Sequence, residues 1–315
     1  MEQIYRTLAD IHNKIEREIL SIIRPGLNIY ELCLFIERQI AIETGKINIE
    51  CTNKGIAFPV GININNCAAH YSPIATSSPQ VFLLDDVVKI DYGIHIDGHI
   101  LDAAFTVAFK REHRGLLEAS MNACMEGAKS FCKDKRLIEV SQKIVQTVPK
   151  EYGIIRDLCG HQIKPYKIHG GKVVPNVIIP YEMRASVGEI YTVEPFISTT
   201  KEPITYEDTT IGNTSHYMYN YFTKPFDGSN GVISLLNTLK SYSTLAFNIR
   251  WIPETERKYI DKLVDKKIYN IYPPIYEKAI DAKIAQFETT LMVTKDEPIL
   301  FKEYTDVDKY IILDL

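Results

Sequence analysis

The sequence predicts an α+β fold in which helices cover one face of a curved antiparallel sheet. Three observations lead to it. Two amphipathic helices open the chain, a hairpin of apolar-rich runs follows, and strand-like runs return only after two more helical stretches.

Residues 4–24 and 29–44 carry apolar positions at helical spacing, namely Ile4, Leu8, Ile11, Ile15, Ile19 and Ile22, then Leu32, Phe35, Ile36 and Ile40. Pro25-Gly26 divides the two helices. Residues 49–70 read as strand and loop, punctuated by Pro59 and Gly61. The hairpin spans about 86–109, helices fit 113–132 and 136–149, and strand-like runs return at 173–179, 188–197, 284–293 and 309–313. From 217 to 274 the character changes. SNGVISLLNTLKSY places Val232, Leu235, Leu236 and Leu239 on one stripe, and Pro253 opens a second helix, ETERKYIDKLVDKK, as a first-turn proline. The stretch is expected to be a small helical, winged-helix-like insertion within one catalytic domain spanning 1–315.

At 315 residues with 45% hydrophobic content, the chain buries a sizeable core. A net charge of -4 argues against a binder of nucleic acid or of anionic membranes, and the basic cluster Lys133 to Arg136 reads as a solvated helix face. Six cysteines, at positions 33, 51, 67, 124, 132 and 159, show no C-x-x-C pair and read as reduced thiols. The first twenty residues lack the apolar core of a secretory signal, and no apolar run reaches the roughly 18 residues of a membrane span. The cytoplasm is the expected location.

The informative segment is KIDYGIHIDGHILDAAFTVAF, residues 89–109. Asp is depleted in strands, and a buried ionised carboxylate costs several kcal/mol unless it is paired or bound to a metal. Asp97-Gly98 signals a two-residue type I′ turn, which pairs Gly93 with Asp102 and Asp91 with Ala104. Asp97 is accounted for by the turn itself. Asp91 and Asp102 become diagonal neighbours on one face, roughly 7 Å apart or less, with small residues opposite that are expected to leave the space between them open. A single Asp could serve as a turn cap or salt-bridge partner. Two inward acids, in a hairpin with no Arg and with Lys89 only at its start, repel unless cations join them, and their separation suits two metal ions about 3.5–4 Å apart.

Further donors must come from neighbouring strands. His161, in LCGHQIKPYKIHGG, follows a glycine that permits close backbone approach, and its short spacing to His169 can put two histidines on one wall. Glu194 in EIYTVEPFIS and Glu288 in AQFETTLMV are glutamates within apolar strand patterns. Taken singly, each of the three also reads as an ordinary core or solvent-facing residue. Together, hard oxygen donors with one imidazole favour Mn, Co, Fe(II) or Zn over a soft-metal site.

These motifs resemble the type 2 methionine aminopeptidases, metallopeptidases of the pita-bread fold. The similarity runs through GIAFPVGININNCAAHYSP, KIDYGIHIDGHILDAAFTV, GHQI…YKIHGG, VEPF, TSHYM, STLAF, YPP and AQFETT, which is nearly the whole chain. The resemblance implies two divalent ions on Asp91, Asp102, His161, Glu194 and Glu288, with Asp102 and Glu288 bridging both. It implies that His70 and His169 contact the peptide, and that Phe58, Ile168, His216, Ala246 and Tyr272 form the methionine pocket, the last two carried by the 217–274 insertion. The implied reaction removes the initiator methionine of nascent polypeptides by attack of a hydroxide shared by the two ions, with Glu194 moving the proton and His70 and His169 holding substrate amide and oxyanion. The implied partners are the N-terminal methionine and, transiently, the ribosome, with no membrane and no specific nucleic acid, for a monomer.

Two departures stand out. Cys159-Gly160-His161 stands where the family pattern resembles Asn-Gly-His, and the Lys- and Asp/Glu-rich N-terminal extension of the eukaryotic cytosolic enzymes is absent, with any ribosome role tied to it. A catalytically inactive pita-bread relative that binds protein or RNA is the competing reading, which retention of all five ligand types opposes. A proline-specific peptidase fits the same metal set but usually carries an added N-terminal domain, whereas only about 50 residues precede the matching segment here.

Overall fold

The computed structural model describes residues 1–45, 53–74, 80–210, 212–220 and 228–313. Cys51, residues 49–52 of the expected strand-and-loop stretch and residues 221–227 of the expected insertion lie outside them.

The opening helices run Glu2–Ile22 and Ile29–Glu43. Asn28 caps the second, its side chain accepting from the Tyr30 and Glu31 amides. The first helix buries Tyr5, Leu8, His12, Ile15 and Ile19 against the back of the hairpin, while Ile4, Ile11 and Ile22 stay at the edge of that contact. His12 stacks on Tyr92 with ring centroids 4.1 Å apart, and its Nε2 lies 3.3 Å from the Ala103 carbonyl. The helix thus grips the hairpin beside both of its acids.

The hairpin strands are Val87–Ile96 and His99–Ala108, paired antiparallel with Asp91 opposite Ala104 and Gly93 opposite Asp102. Asp97 and Gly98 have φ of 50° and 78°, the geometry a type I′ turn requires. Tyr166 locks this tip: its amide donates to the Gly98 carbonyl at 2.9 Å and its ring fills the space a Cβ on Gly98 would need. The same loop carries Ile168 and His169.

Among the described residues, every strand pair within the five small sheets is antiparallel. The hairpin joins Lys54–Ile56 and Gly61–Ile64, and a second sheet orders Ile299–Leu300, Thr289–Met292, Ile190–Val193, Cys159–Ile163 and Val173–Pro175. Helix Arg114–Lys129 packs across the second sheet and the strands Phe196–Ser198 and Ile284–Gln286, and Leu137–Thr147 packs behind it. This is the expected α+β arrangement, with the curved sheet delivered in pieces.

Several expectations need correction. The run 188–197 is two strands broken at Glu194-Pro195, and 284–293 is two strands broken at Phe287-Glu288, so each glutamate sits at a gap in the ladder. The run at 173–179 pairs only over Val173–Pro175. Residues 309–313 form no strand: Val307–Tyr310 is a 3-10 turn, followed by one parallel bridge from Ile311 to Ala108. Lys133 to Lys135 lie in a turn before the fourth helix, where the Arg136 side chain pairs with Glu139 at 2.8 Å. The helix expected at 254–267 is two short pieces, Glu254–Arg257 and Ile260–Asp265, with Pro253 at the N-cap.

Within 217–274, helix Asn230–Leu239 buries Val232, Leu235 and Leu239, whereas Leu236 is only partly buried. The segment is not purely helical. Strands His216–Tyr219, Phe247–Asn248 and Tyr269–Tyr272 form their own antiparallel sheet, which aligns His216 with Asn248 and with Tyr272. A buried ion pair, Arg250 to Glu37, with the Trp251 indole N–H also donating to Glu37, fastens this sheet to the second helix. The five described cysteines are free, and no helix among the described residues is long and apolar enough to cross a membrane.

Candidate metal centre

The hairpin register puts Asp91 and Asp102 on the face that closes one end of a cleft, and the middle of the strand Cys159–Ile163 and two ladder breaks bring His161, Glu194 and Glu288 to the same place. His161 Nε2 lies 3.6 Å from Asp102 Oδ2 and 3.5 Å from Glu194 Oε1. One donor atom each from Asp102, His161 and Glu288 falls within 4.8 Å of the others. Glycine makes the approach possible: a Cβ on Gly160 would sit 2.4 Å from the Thr192 carbonyl oxygen, so only glycine lets the His161 strand close on its neighbour. Gly93 does not leave open space as expected. The Phe58 ring occupies it, 2.2 Å from where a Cβ would stand, and thereby forms a wall beside the acids.

Four carboxyl groups in one buried cluster cannot all ionise without cations. Asp91 is pushed up to about 7 by burial. Asp102, Glu194 and Glu288 are each held well above the usual carboxylate range, first by burial and then by one another's charge. Burial holds His161 well below its usual value, so the imidazole is neutral and able to ligate. Asp91 Oδ1 and Glu288 Oε1 are buried with no hydrogen-bond partner, and no Lys or Arg is among the described residues lining the cleft. Oxygen-rich donors, one neutral imidazole and orphaned carboxylate oxygens fit divalent cations in place of the missing positive charge.

A set of braces that sequence reasoning missed holds these donors. The Thr192 hydroxyl donates to Glu194 Oε1 at 3.2 Å and accepts from the His161 amide at 3.0 Å. Thr290 does the same for the Asp102 backbone, accepting from its amide and donating to its carbonyl. Gln286 donates to Glu288 Oε2 at 3.3 Å and also hydrogen-bonds Asp91. Asn176 Nδ2 spans the Leu158 and Glu194 carbonyls, and Tyr304 binds the Ala104 and Glu288 carbonyls. For Thr192, Thr290 and Gln286 the only sequence signal is polarity inside apolar strands. Because such supporting contacts typically change metal affinity 10- to 100-fold, Thr192→Val is expected to weaken binding of Mn by about that factor. Isothermal titration of metal-free protein measures it, and unchanged affinity would remove Thr192 from this role.

The rest of the cleft includes an apolar wall of Phe58, Ile168, Met218, Ala246 and Tyr272, and His70, His169 and His216 line it too. All the residues expected at the site meet here, and Met218 joins them unforeseen. His70 has φ of 65°, a conformation few non-glycine residues adopt, and its Nδ1 lies 3.3 Å from the Pro273 carbonyl. A carbonyl only accepts, so Nδ1 carries the proton and Nε2 keeps the lone pair. Burial holds His70 down to about 4, which keeps the ring neutral. Its ring stands 5.7 Å from those of His216 and Tyr272, and His169 stands edge-on to His161 at 4.7 Å. His216 Nδ1 meets the Ser215 hydroxyl at 2.8 Å. The Cys159 thiol, also on the cleft wall, is pushed up to about 12 by burial and the nearby Glu194 charge, so it stays protonated near neutral pH.

Such a cluster at one end of a partly apolar cleft defines a metal-dependent hydrolase. The chain belongs to metallopeptidase family M24, whose model matches residues 3–214. Among relatives, it is 36% identical to methionine aminopeptidase 2A from Arabidopsis thaliana over 91% of this chain and 67% of that protein. In fold it is similar to a thermophilic Arx1 (TM-score 0.80, 18% identity, 98% of this chain and 92% of that one). It is also similar to methionine aminopeptidase from Rickettsia prowazekii (TM-score 0.66, 17% identity, 96% and 97%). The chain thus has the pita-bread fold, is an enzyme, and its family implies divalent metal ions.

Proposed function

We propose that this enzyme is a type 2 methionine aminopeptidase that removes the initiator methionine from nascent polypeptides in the cytoplasm, as a monomer with two divalent ions. The observation that carries this is the meeting of five ligand-type side chains with an apolar wall of Phe58, Ile168, Met218 and Ala246 in one cleft. An unbranched thioether chain fits such a wall, and a free α-amine is drawn to the acidic end. The likeness to methionine aminopeptidase 2A supports the same reading. Residues 1–315 act as one catalytic domain, and 217–274 form the insertion that contributes Met218, Ala246 and Tyr272 to the wall.

Asp91, Asp102, His161, Glu194 and Glu288 would hold the ions. Ions bound there would supply Lewis acidity towards the scissile carbonyl and a water of lowered pKa. Glu194, hydrogen-bonded by Thr192, accepts the proton of the attacking water and returns it to the leaving amine. Neutral His70, with its Nδ1 proton committed to Pro273, offers Nε2 as acceptor for the substrate amide N–H. That leaves His169, at the exposed lip beside His161, to donate to the developing oxyanion.

One substrate panel tests this against a proline-specific peptidase and against an inactive binding protein. With Mn or Co present, Met-Ala-Ser is expected to be hydrolysed and an Xaa-Pro dipeptide left intact. Cleavage of the Xaa-Pro substrate alone would reassign the specificity. No cleavage of either by protein shown to bind metal would make the chain a binding module.

A further inference from the structure

We infer that Asp157 makes this cleft select peptides carrying a cationic side chain at the second or third residue after the cleaved methionine, a specificity that rests on the aminopeptidase reading. Asp157, Cys159 and His161 are spaced two residues apart along one segment and all line the cleft. Leu158 lines the cleft as well, so the wall runs from Cys159 and His161 of the strand Cys159–Ile163 through the bend before it to exposed Asp157 at the rim.

Asp157 differs in kind from the other acids there. Asp91, Asp102, Glu194 and Glu288 cluster at the metal-binding end, where cations are their counterpart. Asp157 is exposed and is the remaining carboxylate among the described lining residues, which include no Lys or Arg. Arg156, its neighbour, is not part of the lining. The Thr205 hydroxyl donates to Asp157 Oδ2, which fixes the carboxylate in place and leaves Oδ1 for a ligand.

Distance sets which substrate residue it reads. The four residues from His161 to Asp157, strand and then bend, span at most about 13 Å, and an extended substrate advances about 3.3 Å per residue beyond the scissile bond. A lysine or arginine at the second or third position past the methionine then brings its charge to Asp157.

The test compares kcat/KM of the metal-loaded full chain on Met-Ala-Lys-Ala, Met-Ala-Ala-Lys and their Glu counterparts, with Met-Ala-Ala-Ala as the neutral reference. A rim ion pair supports a Lys-over-Glu preference of about 3- to 10-fold, which should fall to near 1 in Asp157→Asn and persist in Asp157→Glu. The wild-type preference should also shrink between low salt and about 0.5 M salt, as screening requires and a purely structural role does not. A Lys-to-Glu ratio equal in wild type and Asp157→Asn, with Met-Ala-Ala-Ala still cleaved, overturns this inference while leaving the aminopeptidase reading intact. Failure to cleave any of the five peptides overturns both.

Discussion

Asp102→Ala and Glu288→Ala each lower kcat/KM for Met-Ala-Ser by about 1,000-fold or more in metal-supplemented protein, while the fold is retained. The size follows from losing several kcal/mol of electrostatic stabilisation at a rate of tenfold per 1.36 kcal/mol. The fold survives because the backbone at both positions is secured independently of the carboxylates. Thr290 holds the Asp102 amide and carbonyl, while the Glu288 amide donates to Ala104 and its carbonyl accepts from Tyr304. Each substitution also removes one of four mutually repelling buried carboxyls, so the metal-free variant should melt no lower than metal-free wild type. Circular dichroism melts and steady-state kinetics check the two halves together. Near-wild-type turnover by either variant would exclude the ligand assignment.

How much of this centre could be read beforehand depended on how local the cause was. The Asp97-Gly98 turn dictates its own register, so the pairing of Asp91 with Ala104 and Gly93 with Asp102 was legible from a handful of adjacent residues. Phe58 filling the space beside Gly93 was not, because it comes from a different strand connection 35 positions away. Thr192, Thr290 and Gln286 look like ordinary strand residues until their partners arrive from distant segments. The error at 309–313 has the same root. Its β-branched run reads as a strand, but Tyr310 directs its hydroxyl to Glu16 and its ring to Phe287, and only Ile311 reaches a strand partner. Glu194 and Glu288 were legible as anomalies, while the ladder breaks that release them were not, although Pro195, lacking an amide donor, marks the first.

Stripping the metal is expected to lower the unfolding midpoint, and the loss should grow as pH rises. An ion present at about 100 times its dissociation constant stabilises the native chain by about 2.7 kcal/mol. In the stripped protein, Asp91 holds its proton up to about 7, against 3.8 for an ordinary aspartate. The native state therefore retains a proton that the unfolded chain has released. Stability tied to this group is fully present below 3.8 and is lost as pH climbs through 7, about 4 kcal/mol in all. Asp102, Glu194 and Glu288 are raised in the same direction, by burial and by one another's charge, so they add to the decline. A bound ion replaces those protons and removes the decline, which makes metal affinity itself increase with pH. Two groups act with opposite sign. Burial lowers Lys89 to about 7, so its contribution rises between 7 and 10.5, and neutral His161 costs stability as pH falls below 6.5. Lys89 donates to the Asn65 and Ile284 carbonyls rather than to any of the five ligand-type side chains, and a neutral His161 is what an ion requires, so both contributions are expected to cancel when loaded and stripped protein are compared at each pH. Melts at pH 5.5, 7 and 8.5, with Mn or with chelator, should show the gap widening at each step. A gap that stays constant or narrows would mean that the four carboxyls do not face a shared cation, since no other arrangement of this cluster leaves protons and metal competing for the same oxygens.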